Sequence, residues 1–145
     1  MKLIQRNRDA AYLQYDKYVD FDNPMVMEKA MDLTKNCRSV YEKIETIYYF
    51  VRDEIDHTWD AKDSTITISA SDVLEKKTGI SYSKANLLAA LMRANGIYTG
   101  FCYQRIKRFT YDNKLALHAL NAVFEPDVKK WIRLDARGNN YQFQA

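Results

Sequence analysis

The chain is poor in the residues that mark disulfide-rich and metal-binding proteins. Its 145 residues include two cysteines, two histidines, two prolines and four glycines. Cys37 and Cys102 allow one disulfide at most, and because nothing else indicates a secreted scaffold we expect free, buried thiols. His57 has no cysteine or second histidine nearby, so a metal ion would lack ligands there and we interpret this residue as structural.

Long apolar runs and a strong charge of one sign are missing as well. Nowhere are eighteen consecutive residues apolar, and the chain does not start with the basic, apolar and small-residue segments of a signal peptide. The net charge of +3 comes from 22 basic and 19 acidic residues that are interspersed, whereas nucleic-acid-binding domains have clustered basic residues. We therefore expect a soluble cytoplasmic protein that binds neither nucleic acid nor membrane.

The content of hydrophobic and aromatic residues is sufficient for one folded domain. Hydrophobic residues make up 47% and aromatic residues 13% of the chain, which speaks against intrinsic disorder. A chain of this length buries roughly two thirds of its unfolded surface without disulfides or metals. We expect a single domain over residues 1–145 with one core.

Helical periodicity dominates the first half of the chain. The spacing of three tyrosines within residues 1–20 predicts a short surface helix, and Pro24 is well placed to open a helix that runs to about Lys35. Ser39 is expected to cap a longer helix that ends at residues 57–60. The apolar stripe of that longer helix consists of Val40, Ile44, Ile47, Val51 and Ile55.

The centre of the chain is organised around a helix with Ser81 at its head. Apolar residues recur at helical spacing over residues 85–92, and Asn95-Gly96 provides a stop. The free N–H groups and the dipole at the start of a helix stabilise an anion by about 0.3–1 kcal/mol, so a nucleophile at Ser81 is favoured in its ionised form. The segment before this helix is expected to hold a short strand at residues 65–68 and a brief helical turn capped by Ser71 or Asp72.

After Gly96 the apolar period changes from helical to alternating, which predicts strands. They are expected at residues 97–106, 116–124 and 131–135, with turns at residues 111–114 and 125–130. Helices first and strands later indicate an α+β fold. If Phe124 lies opposite Trp131, then His118 is a diagonal neighbour of Asp135, about 7–8 Å away by Cα. We therefore predict that the side chains of His118 and Asp135 touch.

Three sequence motifs follow one another in this part of the chain. The first is Gly79-x-Ser81-x-x-x-Ala85-x-Leu87-Leu88-x-Ala90-Leu91-x-Arg93-Ala94-x-Gly96-Ile97, and the others cover residues 117–123 and 131–139. They resemble the nucleophile helix, the histidine strand and the aspartate strand of the transglutaminase-like superfamily. The resemblance runs from about Asp22 onward. It implies an α+β papain-like fold of the transglutaminase-core type, with N-terminal helices and a central nucleophile helix packed on an antiparallel sheet.

The resemblance also implies cysteine acyl-transfer chemistry, which is either peptide or amide hydrolysis or the transfer of a glutamine acyl group to an amine. Ser81 stands where the family has its catalytic cysteine, His118 would be the imidazole base, and Asp135 would orient the imidazole. We expect a peptide or protein substrate, and the motifs imply neither a metal nor an organic cofactor. The cleft is expected to be lined by Tyr82, Gln104 and Arg105.

The serine leaves several alternatives open. We consider three explanations for Ser81. It is an engineered substitution, or it is a native residue of a non-catalytic descendant that binds peptides or proteins, or it is a working serine nucleophile. The last is least favoured because a hydroxyl has a pKa far above the thiol value of about 8.5. We rank an engineered or degenerate site first and expect the chain to be inactive as written. Without the motifs, His118 would be interpreted as a hydrogen-bonded core histidine and Asp135 as a turn former.

Two further hypotheses concern the surface. Cations on neighbouring strands are compatible with a module for anionic ligands, although scattered surface charge is the favoured interpretation. These cations are Arg105, Lys107, Arg108, Lys129, Lys130, Arg133 and Arg137. The chain stops soon after the aspartate strand, whereas similar domains often continue with further strands, which leaves truncation and oligomer formation as two open alternatives. An unpaired sheet edge left in this way would favour a homo-oligomer.

Overall fold

The computed structural model describes residues 8–107 and 114–138, which form five helices and five strands. The helices are α1 (Arg8–Ala11), α2 (Pro24–Thr34), α3 (Val40–Glu54), α4 (Ala70–Lys76) and α5 (Ser81–Ala94). The strands are β1 (Asp56–His57), β2 (Thr78–Gly79), β3 (Thr99–Lys107), β4 (Leu115–Glu125) and β5 (Lys130–Leu134). The predicted α+β class is confirmed, because all five described helices precede the antiparallel sheet of β3, β4 and β5.

The two predicted helices α2 and α3 begin where their capping residues stand. The Asn23 side chain accepts a hydrogen bond from a first-turn N–H of α2 over 3.0 Å, and the Ser39 hydroxyl does the same for α3 over 3.1 Å. The predicted end of α3 at residues 57–60 is wrong. The helix ends at Glu54 because the next residues pair in parallel, as β1, with β2.

The segment between α3 and α5 differs from prediction in two places. Residues 65–68 form no strand, and the Thr67 hydroxyl instead donates to a β2 carbonyl over 3.0 Å. Ser69, rather than Ser71 or Asp72, caps α4, since its hydroxyl accepts the N–H of Asp72 over 3.2 Å. Both differences arise because side-chain hydroxyls in this segment bond to nearby backbone groups, an alternative to strand pairing.

The aromatic residues near the N-terminus pack against the sheet. The helix α1 has only four residues and ends at Ala11, so the prediction of a helix that carries the three tyrosines is wrong. The Asp16 carboxylate instead accepts the N–H groups of residues 18 and 19 and holds this segment in a turn. The Tyr12 ring lies 4.8 Å by centroid from that of Trp131, and it covers Gly100, where an added Cβ would come within 3.0 Å of the ring. Tyr15 and Tyr18 are exposed. The segment after α1 therefore covers one face of the sheet.

The antiparallel sheet has the strand order β3-β4-β5 and the predicted register. Phe124 lies opposite Trp131, and their ring centroids are 5.5 Å apart. The last strand has the predicted length but lies one residue earlier in the chain, because β5 begins at Lys130 and ends at Leu134, before Asp135. Of the predicted turn at residues 111–114, all but Lys114 lies outside the described residues.

The core surrounds α5, which contacts α2, α3 and α4 as well as β3 and β4. Its fully buried side chains include Val26, Ile47, Val51, Val73, Leu87, Leu88, Leu91, Met92 and Val123. Cys37 and Cys102 are free, as predicted, but half-buried instead of buried, because one lies in the loop after α2 and the other on the edge strand β3. Across the described residues, no helix combines the length and the apolar character that crossing a membrane requires.

Candidate functional site

The start of α5 presents backbone donors beside Ser81, its first residue. Ile80 is at the N-cap position, and its side chain makes no capping hydrogen bond. An apolar N-cap leaves first-turn N–H groups without the side-chain acceptor that a serine or aspartate would supply. Ser81 is half-buried. These N–H groups are therefore available to an anionic group at the side chain of residue 81.

Two side-chain contacts fix the direction of α5 on the sheet. Near the end of the helix, the Arg93 guanidinium donates to the carbonyl of Thr99 over 2.8 and 3.0 Å, and Thr99 pairs with Val123 of β4. Nearer the start of the helix, Asn121 Nδ2 donates to the carbonyl of Ala85 over 3.1 Å. The start of the helix therefore points toward the beginning of β4, where His118 lies.

The solvent exposure of residues along β4 shows how far α5 covers this strand. On the face that packs against the helix, Val123 and Asn121 are 0% exposed and Ala119 is 5% exposed. Two residues further along the same face, Leu117 is 68% exposed. Because α5 begins at Ser81, we place this residue at the edge of the cover, beside the transition from Ala119 to Leu117.

His118 and Asp135 form the contact that the register predicted. Their Nε2 and Oδ2 atoms are 2.7 Å apart. The other carboxylate oxygen accepts the N–H of Arg137 over 3.1 Å, and the Tyr48 hydroxyl donates to the Asp135 carbonyl over 3.3 Å. The prediction of this contact is confirmed. It joins the strand that α5 covers to the segment that follows β5.

The charge state of Asp135 defines the histidine tautomer. Burial acts to raise the pKa of the Asp135 carboxyl, but the hydrogen bond from His118 and that from the Arg137 N–H outweigh it and hold this pKa below its ordinary value. An ionised carboxylate only accepts hydrogen bonds, so His118 Nε2 carries a proton and, in the neutral ring, Nδ1 keeps its lone pair. The ring can therefore take up a proton at Nδ1.

The residues predicted to line the cleft lie on β3 and at the start of α5. Gln104 lies directly opposite His118 in the β3–β4 ladder, and Arg105 lies opposite Leu117. Tyr82 follows Ser81 on α5 and is 41% exposed. All three side chains are exposed. Contact of these residues with a substrate stays a prediction.

Comparison with known proteins identifies the family. The sequence profile of the transglutaminase-like superfamily matches residues 28–136. The chain belongs to this superfamily. No curated protein sequence is significantly similar to it.

Solved structures share the fold of this transglutaminase-like domain. A candidate cysteine protease from Cytophaga hutchinsonii has a TM-score of 0.71 and 21% identity, with 94% of this chain and 45% of that chain covered. The periplasmic domain of TgpA from Pseudomonas aeruginosa bound to ethylmercury has a TM-score of 0.66 and 17% identity, with 88% and 48% covered. The chain thus spans less than half the length of these two structures, and at such identities the similarity concerns the fold.

Lys84 is a buried lysine that holds together the segments around the candidate site, and its role was not predicted from the sequence. It is 1% exposed, and its Nζ donates to the carbonyls of Ile55 over 2.5 Å, Arg137 over 3.0 Å and Arg52 over 3.4 Å. Burial, and after it the nearby Arg137 charge, lowers the pKa of Lys84 to about 8. The sequence feature that could have indicated this role is a lysine placed among the apolar positions of α5. This ammonium ties α5 to the end of α3 and to the segment after Asp135.

His57 lies in a cavity of about 430 Å³ beside the same lysine. The cavity is lined by Arg52, Asp53, Ile55, Asp56, His57, Asp60, Ala61, Lys84, Arg137 and Gly138, and none of the predicted site residues is among them. Burial, and after it the positive charge of Arg137, lowers the pKa of His57 to about 4. Its Nδ1 is buried and has no hydrogen-bond partner among the described residues. Within residues 8–107 and 114–138, no three histidine, cysteine or acidic residues are grouped so as to hold a metal ion.

The cations considered as one binding surface for anionic ligands lie on different parts of the fold. Arg105 and Lys107 lie on the sheet face that α5 covers, whereas Arg133 lies on the other face, paired with Ala122. Arg137 forms a bidentate pair with Asp60 at 2.9 and 3.1 Å. The remaining members lie in the β4–β5 hairpin or, for residue 108, outside the described residues. A single continuous basic surface is therefore not formed by the described cations.

Proposed function

We propose that this transglutaminase-like domain is organised for acyl transfer at amides, with residue 81 as the nucleophile position, His118 as the base and Asp135 as the group that orients it. The observation that carries the proposal is the 2.7 Å contact between His118 and Asp135, on a strand packed against the helix that Ser81 begins. We further propose that the domain is inactive as written, because a serine hydroxyl ionises far less readily than a thiol.

With cysteine at position 81, we propose the following reaction. His118 Nδ1 takes the thiol proton, and the thiolate attacks the amide carbonyl of the substrate. First-turn N–H groups of α5 donate to the oxyanion that forms. The amine then leaves with the proton that His118 carried, and an acyl thioester remains. Water or a second amine attacks the thioester, His118 again transfers the proton, and the thiolate is restored.

The test is the alkylation chemistry of the Ser81→Cys variant. Iodoacetamide labelling is followed against pH and located by mass spectrometry, with Cys37 and Cys102 as internal reference thiols in each digest. We expect rapid labelling at position 81 well below the ordinary thiol pKa of about 8.5, and its loss when His118→Ala is added. An ordinary thiol profile at position 81 in both variants would contradict the proposal.

The second candidate is a pseudoenzyme that holds peptides without reacting with them. Ser81 itself favours it, since the serine lies at the nucleophile position and keeps the backbone donors of α5 beside it. This candidate predicts slow labelling of Ser81→Cys together with peptide binding by the unmodified chain. Fast labelling with no peptide bound would exclude it.

A further inference from the structure

The sheet extends beyond the part that α5 covers, and the face on which this helix packs continues there as an exposed surface. On β4 this surface holds Leu115 and Leu117, which are 58% and 68% exposed. On β3, Tyr103 is 62% exposed, and Arg105 and Lys107 are exposed as well. We call these five residues the sheet overhang.

The register places all members of the sheet overhang on one face. Arg105 is directly opposite Leu117, and Lys107 is directly opposite Leu115. Opposed residues in an antiparallel pair project to the same side of the sheet. Two cations on β3 therefore lie opposite two leucines on β4, and the tyrosine lies on the side toward α5.

The composition of the sheet overhang distinguishes it from ordinary surface. Large apolar side chains are exposed singly on most proteins, whereas grouped ones mark interaction sites. In the part of the chain that the structure describes, Arg105 and Lys107 form no ion pair. Two apolar residues flanked by two unpaired cations complement a ligand that has both apolar and carboxylate groups.

We propose that the sheet overhang is the specificity surface for the acyl-donor peptide, and that it selects segments in which apolar and acidic side chains flank the reacting amide. The inference rests on the proposed function, because the sheet overhang can select an acyl donor only if residue 81 is the nucleophile position. Leu115 and Leu117 contact apolar side chains of the peptide. Arg105 and Lys107 pair with its carboxylates.

Binding of fluorescein-labelled peptides to the unmodified chain tests this selection without any chemistry. Two short peptides are compared by fluorescence anisotropy at low ionic strength, one alternating glutamate with leucine around a central glutamine and the other alternating lysine with leucine. We expect the acidic peptide to bind at least about tenfold more tightly, since the two cations attract one peptide and repel the other. Equal affinity would overturn the proposal.

Matched substitutions locate the binding surface. Arg105→Glu and Leu117→Ser are each expected to weaken the acidic peptide by about three- to tenfold. Arg133→Glu, on the other face of the sheet, and Val128→Ser, which removes another exposed apolar side chain in the β4–β5 hairpin, are expected to leave affinity unchanged. Equal losses in the control variants, or tighter binding to anionic lipid vesicles than to the acidic peptide, would overturn the proposal.

The failure of this inference is distinguishable from failure of the proposed function. Labelling of Ser81→Cys reports on the nucleophile, His118 and Asp135, whereas peptide affinity is measured on the chain with serine. Fast labelling together with equal affinity for both peptides would leave the acyl-transfer proposal intact and overturn the specificity surface alone. Thermal unfolding of each variant verifies that a lost affinity is not a lost fold.

Discussion

Asn121 Nδ2 donates to the carbonyl of Ala85 over 3.1 Å and so joins the strand of His118 to the helix of Ser81. The same amide donates to the carbonyl of Gly100 over 3.3 Å. Asn121 is fully buried. Ala85 is one helical turn from Ser81, and Asn121 is three residues from His118. This side chain therefore links the helix of the nucleophile position to the strand of the base.

Loss of this amide should disturb the chemistry as well as the stability. We expect Asn121→Ala to lower the free energy of unfolding by about 1–3 kcal/mol, because buried carbonyls lose their donor. In the Ser81→Cys background it should also move the pH profile of alkylation at position 81 toward that of an ordinary thiol. Urea unfolding and iodoacetamide labelling measure the two effects.

A second asparagine supplies the control for that prediction. Asn95 Nδ2 also donates to two carbonyls, those of Ala30 over 3.2 Å and Leu91 over 3.0 Å, but at the opposite end of α5. Asn95→Ala should reduce stability and leave the alkylation profile unchanged. If both variants shifted the profile, loss of stability would explain the effect and the role of Asn121 in linking the helix to the strand would be refuted.

Replacement of Asp135 by asparagine tests the orienting contact with little change in shape. In the Ser81→Cys background, Asp135→Asn removes the negative charge that holds a proton at His118 Nε2 and that stabilises the imidazolium. Without a carboxylate to fix the tautomer and to stabilise the imidazolium, alkylation well below pH 8.5 should slow by at least about tenfold. An unchanged rate would mean that this carboxylate has only a structural role.

The parts of the fold that local sequence determines were predictable. Caps and apolar stripes gave α2 and α3, and the alternation of apolar residues gave β3 and β4. The contact between His118 and Asp135 followed from one assumption, the pairing of Phe124 with Trp131, because a hairpin register fixes all later pairs. These features depend on residues near one another in the chain or joined by one turn.

Features that depend on distant segments were not predictable. The end of α3 at Glu54 reflects pairing with β2, more than twenty residues later in the sequence. Burial of Lys84 is possible because backbone carbonyls from α3 and from the segment after β5 converge on its ammonium. No periodic pattern records such convergence, since each acceptor is a backbone group present at every residue.

The convergence at Lys84 predicts a large effect for a substitution that keeps the length of the side chain. Lys84→Met should lower the free energy of unfolding by about 1–3 kcal/mol at pH 7, because the carbonyls of Ile55 and Arg137 lose their buried donor. Lys35→Met, which removes an exposed lysine paired with Asp32, should have little effect in the same urea titration. A similar loss in both variants would show that the buried ammonium contributes nothing specific.

The low pKa of His57 predicts a loss of stability in mild acid. Its folded-state pKa of about 4 lies below the ordinary value of 6.5, so between these values the unfolded chain binds more protons than the folded chain. The free energy of unfolding therefore rises with pH over this window and falls as pH drops from about 6.5 to about 4. The full shift would correspond to about 3 kcal/mol, which partial solvent screening reduces to about 1–2 kcal/mol.

His57→Gln isolates this contribution, because glutamine does not titrate. Urea unfolding at pH 7 and at pH 4.5 should show that the unmodified chain loses about 1–2 kcal/mol more than the variant between the two conditions. Acidic residues, including Asp60 beside the cavity, titrate in both chains and cancel in the comparison. Parallel losses in the two chains would mean that His57 accepts a proton in the folded state as readily as in the unfolded one. The buried Nδ1 would then require an acceptor that neutralises its charge.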